Sequence, residues 1–160
     1  MNARKLEELI VHLASHPGVK DLGPTKLWKL IYFIDAQALR DLGEPVTDSE
    51  FIKYQHGPVP SRGEKHLKKL LESGDVTTTR AKVGSMTLNK VHAQREPEMD
   101  VFESAEATLI ESICKKLGGK SATVLSNLSH LEPSWHYAEM REKLSPELIA
   151  YGHKEDPEGL

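Results

Sequence analysis

Cysteine is almost missing: the 160 residues contain one, Cys114, so no disulfide can form within the chain. That usage suits a reducing compartment. Long apolar runs are missing as well. No stretch reaches the roughly 18–20 residues that a membrane-spanning helix needs. The opening MNARKLEELI carries charge where a secretory leader needs an apolar core. Nor is there an excess of one charge: 21 Lys and Arg face 24 Asp and Glu, a formal net charge of -3. Such a balance argues against a chain that coats nucleic acid or membrane, while leaving room for a local basic patch. Internal repeats and low-complexity tracts are absent. The expectation is a soluble intracellular protein, long enough to bury a core without covalent staples.

The motifs of common chemistries are also absent. There is no G-x-S-x-G nucleophile elbow and no G-x-x-x-x-G-K-[ST] phosphate loop. LGGKS at 117–121 has the ending of such a loop, but it lacks the first glycine and follows a helix; it reads as a helix end followed by a cap. Cys114, beside Ile113 in an amphipathic pattern, reads as a buried structural thiol. His12 and His16 have the spacing of a two-histidine helical metal site. Pro17 ends the helix there and no Glu follows His12, so solvated surface histidines are expected. His130 and His136 straddle a proline turn with no third ligand evident, one packed or capping and the other exposed. A general base at His56 or His130 would need a nucleophile or metal that the sequence does not offer. No catalysis, cofactor or metal is expected.

What is present is mostly helical periodicity. Leu6, Leu9, Ile10 and Leu13 stripe a helix over residues 3–14, stopped by HPG at 16–18. A second helix begins near Pro24 and stops at Gly43 and Pro45; it is apolar on most sides, the mark of a central helix. EFIKYQ reads as a short strand, after which Pro58 and Pro60 are expected to bar a regular ladder. Ser61 and Glu64 have the spacing of a capping box for a helix from about Arg62 to Gly74. Residues 76–81 and 86–92, rich in β-branched side chains and split by Gly84-Ser85, read as a hairpin or wing. Further helices are expected over 105–117 with Ser104 as cap, from Ser121 through Leu131, and after Ser145 with Pro146 in its first turn. The result is a mainly α (α+β) compact helical domain with a small antiparallel β element over 1–150, then a short polar tail over 151–160.

Two stretches stand out. YQHGPVP at 54–60 and SHLEPSW at 129–135 each join an aromatic, a histidine and a proline-fixed turn. Proline leaves the backbone little entropy to lose, so a surface built this way is preorganised. Tyr and Trp are also the residue types that most often carry interface energy. Equally, Tyr54 and Trp135 could plug the core while the histidines bond backbone carbonyls.

The run KLWKLIYFIDAQALRDLGEPVTDSEFIKYQHGPVPSRGEKHLKKL resembles the N-terminal signature of the Panacea domain, the SocA-like antitoxin family. The pattern is a K-L-x-K-L-x-Y-F helix at Lys26–Phe33, a G-x-P-hydrophobic turn at Gly43–Val46, and then Lys53, Tyr54, Gly57, Pro58 and Val59. Leu128, Ser129, His130, Pro133 and Trp135 follow a second, later pattern of that family. The resemblance implies a helical domain with a small β element and an antitoxin role in a bacterial or phage toxin–antitoxin pair. The implied partner is a protein toxin encoded nearby, with a protease or chaperone if the domain acts as a proteolytic adaptor. Many members carry an added DNA-binding module, for which this chain has no spare length. The expected contact surface comprises Trp28, Tyr32, Tyr54, His56, Gly57, Pro58, Val59, His130 and Trp135. The alternative is a winged-helix-like regulator that meets DNA through the wing and the basic run RGEKHLKK; Glu64, Glu72 and Asp75 dilute its charge.

Overall fold

The computed structural model describes residues 1–152; of the expected tail 151–160, residues 153–160 lie outside the described residues. Its organising element is helix α2 (Pro24–Leu42). Pro24 occupies the first turn, where its missing N–H costs nothing, and Gly43 ends the helix in the left-handed conformation at φ 82°. Leu27, Leu30, Ile31 and Ile34 are wholly buried, and so is Tyr32 on another side of the helix. A helix apolar on that many sides has to be enclosed, and it is.

Helix α1 (Ala3–Ser15), capped by the Asn2 side chain, lays its Leu6, Leu9, Ile10 and Leu13 stripe into the same core. After α2 come strands β1 (Phe51–Tyr54) and β2 (Gly57–Pro60), then helix α3 (Gly63–Ser73). Strands β3 (Val76–Val83) and β4 (Met86–Ala93) form the expected wing, somewhat longer than the sequence suggested. Only its base is buried, through Val76 and Val91, with the Val91 N–H bonded to the Leu22 carbonyl. A short 3-10 turn (Met99–Val101) leads to α4 (Ser104–Leu117), α5 (Ala122–His130), α6 (Pro133–His136) and α7 (Pro146–Tyr151). The fold is thus mostly helical with two small antiparallel sheets, and α2 packs against α4, α5, α7 and β2. No helix among the described residues is long and apolar enough to cross a membrane.

Three local expectations need correction. Pro58 and Pro60 do not prevent pairing: β2 runs antiparallel to β1 with Ile52 opposite Val59 and Lys53 opposite Pro58. In an antiparallel pair only alternate residues bond across the ladder. Phe51 and Lys53 turn their backbone groups outward, to Leu144, Glu142 and Arg141, so the prolines opposite them occupy positions where no donor is needed. The Ser61–Glu64 capping box does not form; Arg62 is the N-cap of α3, because Ser61 is still held to the sheet by its N–H to the Glu50 carbonyl. A capping box forms instead at the next α-helix, between Glu103 and Glu106, with Ser104 already inside α4. The caps expected at Ser121 and Ser145 do form.

Gly63 shows how tightly α2 and α3 meet. A Cβ there would lie 2.9 Å from a ring carbon of Trp28 and 3.0 Å from Pro60, whereas one at Gly119 would meet nothing within 4 Å. Gly63→Ala should therefore destabilise the fold by about 1–3 kcal/mol, and Gly119→Ala should stay within about 0.5 kcal/mol of wild type. Urea unfolding of the two variants side by side checks this.

Candidate partner-docking site

The tip of the β1–β2 hairpin is made by a two-residue connection, Gln55 and His56, both exposed. Its geometry is enforced from beneath. Lys29, wholly buried in α2, donates from Nζ to the Pro58 carbonyl at 2.9 Å. Gly57 has φ 122°, which favours glycine, and a Cβ there would collide with Ser129 Oγ and the Lys29 stem. Burial lowers the Lys29 amine from its usual 10.5 to about 8.

On one flank the tip meets α5 and α6. Trp135 Nε1 donates to the Tyr54 carbonyl at 3.0 Å, and His130 Nε2 bonds the Gln55 carbonyl at 3.1 Å. The His130 and Trp135 rings stack with centroids 4.0 Å apart, and Lys53 Nζ lies 4.1 Å from the Trp135 ring centroid. A carbonyl partner requires the Nε2 proton. Burial first, then the nearby Lys29 and Lys53 cations, lowers the His130 pKa, which favours the neutral ring; the Gln55 bond opposes this. Lys53 also donates to the Ala138 carbonyl at 2.9 Å, and its backbone is held by Arg141 and Glu142. Residues 137–142 therefore border the same tip.

The expected contact residues divide by burial. Tyr54, 44% exposed, and His56 lie at the surface; His130, Trp135 and Val59 are half-buried; Gly57 and Pro58 are buried supports. Trp28 and Tyr32 are corrected: at 5% and 0% exposure they belong to the core and offer a partner nothing. Trp28 is covered by Gly63 and Pro60, while the Tyr32 hydroxyl bonds Glu132 at 2.9 Å and Ser134 at 2.7 Å and its ring packs edge-on to Phe33 and Phe51. The sequence reading missed Tyr137, Met140 and Leu131, which are 74%, 52% and 51% exposed around the α5–α6 turn. For Tyr137 and Met140 the signal was apolar residues in WHYAEM with no helical period to bury them. Leu131, where the expected helix ends, is the exposed C-cap of α5.

Two other features lie apart from the tip. A shallow groove of ≈ 470 Å³ between α2 and α4 is lined by Gln37, Asp41, Leu42, Thr108, Leu109 and neighbours, none of them an expected site residue. The expectation of solvated surface histidines at 12 and 16 is corrected. Both are partly buried, with ring centroids 5.5 Å apart, and His16 Nε2 is 2.8 Å from Glu111.

These features define a class: a mainly helical α+β domain arranged around one enclosed helix, with a braced hairpin at its surface. Residues 27–136, from α2 to the end of α6, match the family profile of the antitoxin SocA-like Panacea domain, and the chain belongs to that family. Comparison with curated proteins and with solved structures finds no match.

A lysine that is harder to protonate when folded gives stability a known pH dependence. Between its folded value near 8 and its usual 10.5 the unfolded chain binds more protons, so Lys29 makes stability rise with pH across that window. Other groups also titrate there, so the informative quantity is a difference. Urea midpoints at several values from pH 7.5 to 10 should increase less, or fall more, in Lys29→Met than in wild type. Parallel profiles would show that the amine is not buried as described.

Proposed function

We propose that this chain is the antitoxin of a bacterial or phage toxin–antitoxin pair, and that it neutralises a protein toxin by covering it with the hairpin-tip face. Family membership supports the role. The observation that carries the site is the braced tip, where Tyr54 and His56 are displayed beside the His130–Trp135 stack and the exposed Tyr137, Leu131 and Met140. Such a face is ordered before the partner arrives, so little entropy is lost on docking. Its aromatic content suits the centre of an interface burying on the order of 1,200 Å² or more. The face acts by contact, and no bond is made or broken.

The basic side chains of α3 favour this reading over phosphate contact. Lys69 lies 3.1 Å from Glu7, and Lys68 pairs with Glu72 at 3.8 Å. Cations already answered by carboxylates, as these two are, gain less from releasing the counterions of DNA.

The test is co-expression with the neighbouring open reading frame. Wild-type chain should rescue growth, and the double variant Tyr54→Ala/Tyr137→Ala should fail to rescue while keeping its helical signal and melting temperature. Its affinity for the purified toxin should fall at least about 30-fold, the mark of an interface hot spot. A neighbour that is harmless alone removes the antitoxin role; rescue by the double variant removes the tip as the contact face.

A further inference from the structure

We propose that His12, His16 and Cys114 bind one borderline-soft divalent transition-metal ion, Zn²⁺ above all. The three come from places the sequence keeps apart. His12 is in the last turn of α1, and His16 is the residue that ends that helix. Its N–H bonds the His12 carbonyl at 2.9 Å, while its backbone turns extended at φ -71° and ψ 125°. That turn sets the His16 ring edge-on to His12 instead of leading it away. Cys114 reaches the same point from the last turn of α4, about one hundred residues later in the chain.

One ligand atom from each residue lies within 4.8 Å of the other two. A tetrahedral ion with bonds of about 2.0–2.3 Å holds its ligand atoms roughly 3.3–3.8 Å apart. Closing that gap takes about 1 Å of side-chain movement on fixed helices. A thiolate with two imidazoles is a donor set for zinc and its neighbours; calcium and magnesium require oxygen. Cys114 is buried and both histidines are partly exposed, so an ion has a way in from the histidine side.

The surroundings suit a ligand set. Glu111, one helical turn before Cys114, places Oε2 2.8 Å from His16 Nε2, and the Gly18 amide donates to His16 Nδ1 at 2.9 Å. A carboxylate behind an imidazole is the usual device for orienting a metal-bound histidine. Loading exchanges one of these two His16 bonds for the metal and keeps Glu111 within reach, behind the ring or as fourth ligand. The ion would clip the end of α1 to the last turn of α4. The Lys20 amide already holds the same junction by donating to the Gly118 carbonyl at 2.9 Å.

The experiment uses the full chain, stripped with chelator and titrated with Co²⁺ alone as a spectroscopic probe. The expected result is saturation at one equivalent with visible bands of a tetrahedral ion and thiolate-to-cobalt charge transfer, both reversed by Zn²⁺. Zn²⁺ should raise the melting temperature by several degrees, since an ion that binds only the folded state stabilises it. Glu111→Gln should weaken Zn²⁺ binding about 10–100-fold. His12→Asn, a change at a partly exposed position that leaves the core intact, should weaken it further, and Cys114→Ser should remove the charge-transfer band. Wild-type spectra without charge transfer, or Zn²⁺ binding unchanged in a folded His12→Asn chain, would overturn the site.

Discussion

The structure rests on the need to give every buried polar group of α2 a partner. Lys26, Lys29, Tyr32 and Asp35 recur every third residue along a helix that is enclosed by its neighbours, and each is at most 2% exposed. An unpartnered buried polar group costs on the order of 1–3 kcal/mol, more when charged. Each therefore fixes a different neighbour. Lys26 donates to the Lys20 carbonyl in the α1–α2 connection and to the Gly118 carbonyl at the end of α4, and Lys29 holds β2 through Pro58. Tyr32 reaches Glu132 and Ser134 at the α5–α6 turn. Asp35 accepts from the Thr47 amide at 2.8 Å and from the Thr47 hydroxyl at 2.6 Å, which folds the loop after α2 back onto it. One turn beyond, Arg40 joins Glu132 to the Ile149 carbonyl of α7. Apolar burial would permit several registers for these neighbours; the polar set leaves one. Burial is strong enough here to raise the Asp35 carboxyl to about 6 despite its donors and to lower both lysines to about 8.

This gives the family signature a physical meaning. In K-L-x-K-L-x-Y-F the two lysines and the tyrosine are the anchors just described, and the leucines and phenylalanine are core. The motif thus specifies a fold. What the anchors hold steady at the surface is the hairpin tip, fixed by Lys29 and the close approach at Gly57, and the turn carrying Trp135, fixed by Tyr32 through Glu132 and Ser134. A surface supported in this way can vary in its exposed side chains without disturbing the core.

Much of the fold was legible because its signals are local. Helix periodicity, the caps at Ser121 and Ser145, the stop at Gly43 and the β-branched wing depend on neighbours within one or two turns. The site was legible only in part. Tyr54, His56, His130 and Trp135 do come together, as the proline corners suggested. Trp28 and Tyr32 were misread because an aromatic on a helix looks the same in sequence whether it faces solvent or a neighbouring element. Tyr137 and Met140 went unnoticed because the segment carrying them has no period. The second strand escaped because two prolines argue against a strand until their register is known.

The amino-acid sequence by itself determined where the longer helices lie and roughly where they stop, that one helix is central, and that the chain carries the Panacea signature; the short α6, expected as a proline turn, was not among them. Those follow from spacing along the chain, where the relevant forces act over a few residues. Tertiary structure alone decided which aromatics are buried, which carbonyl each lysine caps, and that His12 and His16 meet Cys114 across about one hundred residues. Such outcomes depend on how faces distant in sequence are brought into contact, and packing resolves that choice only when the whole set of buried polar groups is satisfied at once.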